Sequence, residues 1–121
     1  MHNKLLGDKG EMLAEKFLEK NKYKILEKNF KTKFGEIDLI AKYKENIIFV
    51  EVKTRTSTDY GLPCEAVNYK KQSVIGKVAA LYLANNKMSS QNCRFDVIEV
   101  LVSQNKSNIN HIVNAFQLNA F

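Results

Sequence analysis

The chain has 121 residues, 45% of them hydrophobic and 26% charged, with a formal net charge of +6. That length supports one hydrophobic core without disulfide or metal staples, and the composition is that of a globular protein. The excess of lysine and arginine favours a polyanionic partner, nucleic acid first among them. The longest apolar runs are short ("VAALYLA", 78–84), so no segment spans a membrane, and "MHNKLLGDKGE" lacks the apolar centre of a signal peptide. A cytoplasmic location is expected. Cys64 and Cys93 form no CxxC spacing and read as reduced thiols, neither a nucleophile nor a metal ligand, while His2 and His111 belong to no motif.

Residues 4–20 read as an amphipathic helix, with Leu6, Gly10, Leu13, Ala14, Phe17 and Leu18 on one arc. "YKILEKNF" (23–30) has strand composition and "KTKFG" makes a basic turn. "GEIDLIAKY" and "NIIFVEVKT" form two strands joined by a tight polar turn at 44–46. "RTSTDYGLP" (55–63) is a loop punctuated by Gly61 and the only proline. A second helix is predicted from Glu65 to Asn86, with Val67, Val74, Ile75, Val78 and Tyr82 at helical spacing. "RFDVIEVLV" (94–102) is a strand and "SQNKSNIN" a turn, so the order closes on one strand, or on two if "HIVNAF" (111–116) forms a short final one. No internal repeat or interdomain linker interrupts this order. A single α/β domain over 1–121 is the expectation.

The central strands carry acids where apolar residues would be ordinary. A turn centred between Lys44 and Glu45 sets Asp38 opposite Glu51 and Glu36 opposite Lys53, with opposed Cβ atoms about 4.5–5.5 Å apart. Glu51 and Lys53 project from one side of their strand. Alternating charge on a strand usually marks a solvated face. Here, though, Glu51 sits among Ile47, Ile48, Phe49, Val50 and Val52, and Asp38 sits inside "IDLIA". Two carboxylates so close repel unless a cation lies between them. Mg²⁺ answers that need, since it binds one or two carboxylates together with water and phosphate oxygens. Lys53 would face the same site and stabilise charge on a phosphate or orient an attacking water. A one-residue slip of register would put the two acids on opposite faces.

The helices add candidates. Glu11 lies about 20° from Leu18 on the helical wheel, whereas Glu15 and Glu19 rotate away by about 40° each, so Glu11 is the acid able to point inward. Lys71 falls on the apolar stripe of the second helix. It either lays its stem along that stripe with its ammonium in water, or turns the cation towards phosphate beside the acids. Arg55, within the hydroxyl-rich "TRTST", is placed to grip a phosphate backbone. Asp96 is read as structural, paired with Arg94 or a neighbour.

Taken together, "GDKGEMLAEKFLEKNKYKILEKNFKTKFGEIDLIA", "IIFVEVKTRTSTDYGLPCEAV", "KKQ", "RFDVIEV" and "HIVNAF" closely resemble the bacterial YraN family over nearly the whole chain. That family is similar to the Holliday-junction-resolvase branch of the PD-(D/E)xK nucleases. The resemblance implies a restriction-endonuclease-like α/β fold, a mixed sheet flanked by helices, with the site on the central hairpin. It implies a catalytic set of Glu11, Asp38, Glu51 and Lys53, and a Mg²⁺ (or Mn²⁺) ion held by Asp38, Glu51 and the backbone carbonyl of Val52. Ile37 stands where the motif's nominal proline would be, a position that carries no chemistry. Gly76, four beyond Gln72, denies the chain the QxxxY motif and so argues against the exonuclease branch. Two functions follow: a Mg²⁺-dependent nuclease acting on structured or branched DNA, or a nucleic-acid-binding protein that keeps the fold and cleaves little by itself. Symmetric cutting of a junction needs two sites, and one domain of this size offers one, so a homodimer is compatible with the first.

Overall fold

The computed structural model describes residues 2–56 and 68–117. Its first helix, α1, runs His2–Lys20 and buries Gly10, Ala14 and Leu18, with Leu6, Leu13 and Phe17 half-buried beside them. This is the arc expected from sequence. Three antiparallel strands follow: β1 (Lys24–Thr32), β2 (Gly35–Tyr43) and β3 (Asn46–Thr56). Then come helix α2 (Tyr69–Asn85) and two more strands, β4 (Asn92–Ser103) and β5 (Lys106–Phe116). The strands form one sheet in chain order, β1-β2-β3-β4-β5. Only β3 and β4 run parallel, because α2 is the crossover between them, and a parallel pair requires such a connection.

Each helix covers one face of this mixed sheet. On the α1 face Ala14 and Leu18 pack with Leu39, Ala41, Ile48, Val50, Ile98 and Val100. On the other, Ile75, Val78, Ala79, Tyr82 and Leu83 of α2 meet Ile37, Ile40, Ile47, Phe49, Phe95 and Val97. The run Ile47–Val50 is buried throughout because β3 is central and sandwiched on both sides. The architecture is α/β and restriction-endonuclease-like, as expected.

Three local expectations are corrected. Asn68 is extended (φ −75°, ψ 175°), and its side chain accepts the Lys71 N–H, so α2 is capped to begin at Tyr69 rather than Glu65. Residues 57–67 lie outside the described residues, and with them Gly61, the proline, Cys64 and Val67. Most of "SQNKSNIN" is strand: β5 begins at Lys106, after a two-residue turn at Gln104 and Asn105. Its polar side chains disguise a strand because it is an edge with much of its length in solvent. Finally, Glu36 does not pair with Lys53. The β2–β3 register runs from Tyr43↔Asn46 to Leu39↔Val50, and Glu36 pairs instead with Lys31 of β1.

Asp96 is the most buried charge described, 1% exposed, and its partners are complete. Arg94 donates to both carboxylate oxygens (Nε–Oδ1 2.9 Å, Nη2–Oδ2 2.8 Å), His111 Nε2 lies 2.7 Å from Oδ2, and the Asn114 amide donates to Oδ1 at 2.9 Å. Arg94 also reaches the Tyr23 hydroxyl at 2.8 Å, and Phe17 meets the His111 ring edge-on. The structural reading of Asp96 holds, and the Arg94 pairing with it. His111 enters as a partner only because β5 folds beside β4. Burial alone would raise the Asp96 carboxyl, but the bonds from His111, Arg94 and Asn114 outweigh it and hold the group below its ordinary value.

The approach of α1 to β3 depends on Gly10. A Cβ built there would stand 1.8 Å from Thr54 Oγ1 and 2.9 Å from its Cβ, so any side chain pushes the helix off the strand. Gly10→Ala is expected to cost about 1–3 kcal/mol by overpacking, measured by urea unfolding. Thr54→Ala in the same chain should recover part of that loss. Full additivity of the two substitutions would show that the contact is not the cause.

Candidate active site

The β2–β3 pairing stops where the acids begin. Beyond Leu39↔Val50 the Asp38 side chain takes over from the backbone, and Asp38 Oδ2 accepts the Val52 N–H at 2.8 Å. The ladder thus ends one step before the Asp38–Glu51 pair that the turn arithmetic sets, and the two side chains share the cleft that opens there. N–H and C=O of one residue in a strand project to the same side, so the Val52 carbonyl also faces the gap beside Asp38. The gap opens into a cleft of about 640 Å³ whose walls include Glu11, Glu36, Asp38, Glu51 and Lys71. An adjoining hollow of about 480 Å³ shares Glu11, Asp38, Glu51 and Lys71 and adds Val52 and Lys53.

Every acid of the set is placed by a different element. Glu11 projects from α1 on the turn after Gly10, and Asn29 Nδ2 donates to its Oε1 at 2.9 Å. Asn29 adopts a left-handed φ of 50°, which Asn tolerates, and it holds Glu11 towards the sheet. Sequence reasoning missed this residue; a lone polar Asn inside a strand was the available signal. Glu15 turns aside to Lys28, at 3.6 Å, and Glu19 is exposed, so Glu11 alone of the three enters the cleft. Glu36 also lines it, unassigned by sequence.

Lys71 turns towards the acids. Its ammonium lies 2.6 Å from Glu51 Oε2, with the two side chains 47% and 11% exposed. Burial would lower its pKa, but the hydrogen bond to Glu51 and the charges of Glu51, Asp38 and Glu36 raise it above the ordinary value. Lys53 is exposed at the mouth of the hollow, one strand residue beyond Val52. Arg55 forms a half-buried ion pair through its guanidinium with Glu99 of β4. Cys93 is a free thiol packed at the α2 core, its pKa raised by burial, so it stays out of the chemistry.

Electrostatics separate this site from the Asp96 network. Asp38 is raised from 3.8 to about 8, first by burial, then by the neighbouring charge of Glu51, with Glu11 adding to it. The Val52 amide and Lys71 pull the other way and lose. One backbone donor and one shared lysine do not neutralise three acids. The donor set fits a divalent cation on that ground: two carboxylates short of positive charge, and a main-chain oxygen beside them. Among the described residues no group of three or more histidine, cysteine or acid side chains could by itself cage a metal.

A mixed sheet between two helices, with an acid–acid–lysine cluster where its central hairpin opens, defines a restriction-endonuclease-like α/β protein. Residues 10–100 match the model of the uncharacterised protein family UPF0102, the YraN family, and the chain belongs to it. It is 52% identical to a UPF0102 protein of Caldanaerobacter subterraneus subsp. tengcongensis, covering 96% of this chain and 98% of that one. A UPF0102 protein of Clostridium acetobutylicum is also 52% identical (96% and 97% covered), and one of Geobacter metallireducens 50% (98% and 97%). No helix among the described residues is long and apolar enough to cross a membrane.

The raised Asp38 has a consequence for stability with a definite sign. Its folded pKa lies above the unfolded value of 3.8, so the native state holds the proton longer. Stability should then fall as pH rises from about 4 to about 8, by at most about 1.4 kcal/mol per pH unit, and level off above. Asp38→Asn keeps an acceptor for the Val52 amide and removes the titration. Urea unfolding across that range should show a flatter profile for the variant and a more stable protein near neutrality. An unchanged slope would mean that Asp38 is already ionised at low pH.

Proposed function

We propose that the protein is a divalent-metal-dependent nuclease that hydrolyses phosphodiester bonds in structured or branched DNA. The observation that carries this is the convergence of Glu11, Asp38 and Glu51, from three elements, on one open cleft with Lys53 and Lys71 on its walls. An acid cluster of this kind, open to a polyanion and bordered by lysines on a chain of net charge +6, suits phosphoryl chemistry. Asp38, Glu51 and the Val52 carbonyl would hold Mg²⁺ or Mn²⁺. When bound, the ion would supply Lewis acidity towards a phosphate oxygen and a water of lowered pKa.

The chain's own groups do the rest. Glu11, held by Asn29, keeps negative charge beside Asp38 and so favours a cation there. Lys71, paired with Glu51 on the cleft wall, keeps a cation beside the carboxylates and would face substrate phosphate there. Lys53 at the mouth of the hollow stabilises charge that grows on the phosphate during attack. A two-fold pair of chains would present two such clefts to the two strands of a junction.

The decisive comparison is wild type, Glu51→Gln and Lys53→Ala, purified identically and assayed for nicking of duplex, flap and four-way-junction DNA with Mg²⁺ or Mn²⁺. Glu51→Gln is expected to abolish cleavage and weaken Mg²⁺ binding. Lys53→Ala should leave Mg²⁺ affinity largely intact and slow turnover by about 10²–10³. Equal nicking by all three would assign the activity to a contaminant. If wild type binds DNA and never cuts it, the protein is a binding module on a nuclease fold.

DNA binding itself should weaken steeply with salt. The log–log slope on duplex should be about −0.9 for each phosphate neutralised, measured by anisotropy titrations in EDTA. Binding absent at low salt would remove both readings.

A further inference from the structure

The turn between β1 and β2, whose next residue Gly35 lines the acidic cleft, exposes an aromatic ring. Lys33 and Phe34 form its tip, and Phe34 is 45% exposed with the Lys33 ammonium 5.4 Å from its ring centre. A single exposed aromatic is ordinary on a protein surface. This one is held in place. Thr32 Oγ1 accepts the Phe34 N–H at 3.0 Å and donates to the Gly35 carbonyl at 3.1 Å, so a side chain clamps the turn from within.

The tip is also fixed against the cleft wall. Gly35, directly after Phe34, has a φ of 151°, and a Cβ there would stand 2.6 Å from Val74 Cγ1 of α2. Gly35 and Glu36 line the cleft together with Asp38, Lys70 and Lys71. Lys33 lies over the ring and exposed Lys31 stands in the strand just before the turn, while Lys70 and Lys71 line the cleft. Tyr69 is more exposed, at 86%, but it lies about 200° around α2 from Lys71 and so points away from the cleft.

An exposed ring on a clamped turn, with a lysine against it and the next residue, Gly35, lining the cleft, matches a nucleobase whose face is uncovered. Bases inside an intact duplex are stacked on both sides and offer no such face; bases at a point where strands part do. We propose that Phe34 is a stacking platform for an unpaired or branch-point base, with Lys31 and Lys33 on the adjacent phosphates. The cleft would thereby prefer DNA that has unpaired nucleotides beside the bond presented to Asp38 and Glu51. This rests on the nuclease reading for the place of the bond, but its test needs no cleavage.

The test is equilibrium binding in EDTA of the full chain to two DNAs of equal length: an uninterrupted duplex, and a splayed fork with 2-aminopurine at the branch. Wild type is expected to bind the fork more tightly than the duplex and to change the 2-aminopurine emission. Phe34→Ala should weaken fork binding about tenfold, leave duplex binding unchanged and abolish the emission change. Phe34→Trp should restore the preference, with indole fluorescence quenched by the fork and not by the duplex. The same fork-to-duplex ratio in wild type and Phe34→Ala would overturn the proposal, as would failure to bind either DNA. A protein that shows the Phe34-dependent preference yet cuts nothing keeps the stacking site and loses the nuclease reading.

Discussion

The site depends on one substitution of bonds: a carboxylate of Asp38 accepts the Val52 amide where the backbone of β2 would otherwise serve it. Two antiparallel strands that stay paired leave no room for a ligand between them. By ending the regular pairing at Leu39↔Val50 and bridging onward with a side chain, the hairpin opens while its amide stays satisfied. The opening puts Asp38, Glu51 and the Val52 carbonyl around one space. It also leaves that space close enough to both helices for α1 to send in Glu11 and α2 to send in Lys71.

Asp96 shows what the same device looks like when it is structural. It too accepts a backbone amide, that of Asn114, beside an irregularity in the β4–β5 register. Arg94 and His111 complete its partners, and its carboxyl is held below the ordinary value. Asp38 has the amide but sits among acids, and it is pushed up to about 8. A protein of 19 basic residues had cations enough to neutralise Asp38 as it did Asp96. The unbalanced charge at the cleft therefore belongs to the arrangement of the site rather than to composition, and it is the physical reason to look for a cation and a phosphate there.

The rigidity around the cleft comes from close approaches that admit no side chain. Gly10 lets α1 settle onto Thr54, and Gly35 lets the β1–β2 turn settle onto Val74. Glu11 follows the first glycine and Phe34 precedes the second, so both contacts bear on side chains of the proposed site. The backbone that carries these two side chains is thus tied to packing on opposite faces of the sheet.

Much was legible in the chain itself, because the signals are local. Alternation in "GEIDLIAKY" and "NIIFVEVKT" and a short polar turn determine the hairpin. The position of that turn determines the register, and the register brings Asp38 beside Glu51. Helical periodicity likewise singled out Glu11 over Glu15 and Glu19. Other features were decided only by the tertiary structure, since they join residues distant in sequence. The end of pairing at Leu39↔Val50 needed the sheet to splay, and Lys71 chose Glu51 over solvent because the crossover lays α2 across that gap. Arg55 met Glu99 because β4 runs parallel beside β3, and His111 found Asp96 because β5 closes the sheet's edge. Sequence determines which residues share a face; only packing of one element on another determines which charges meet.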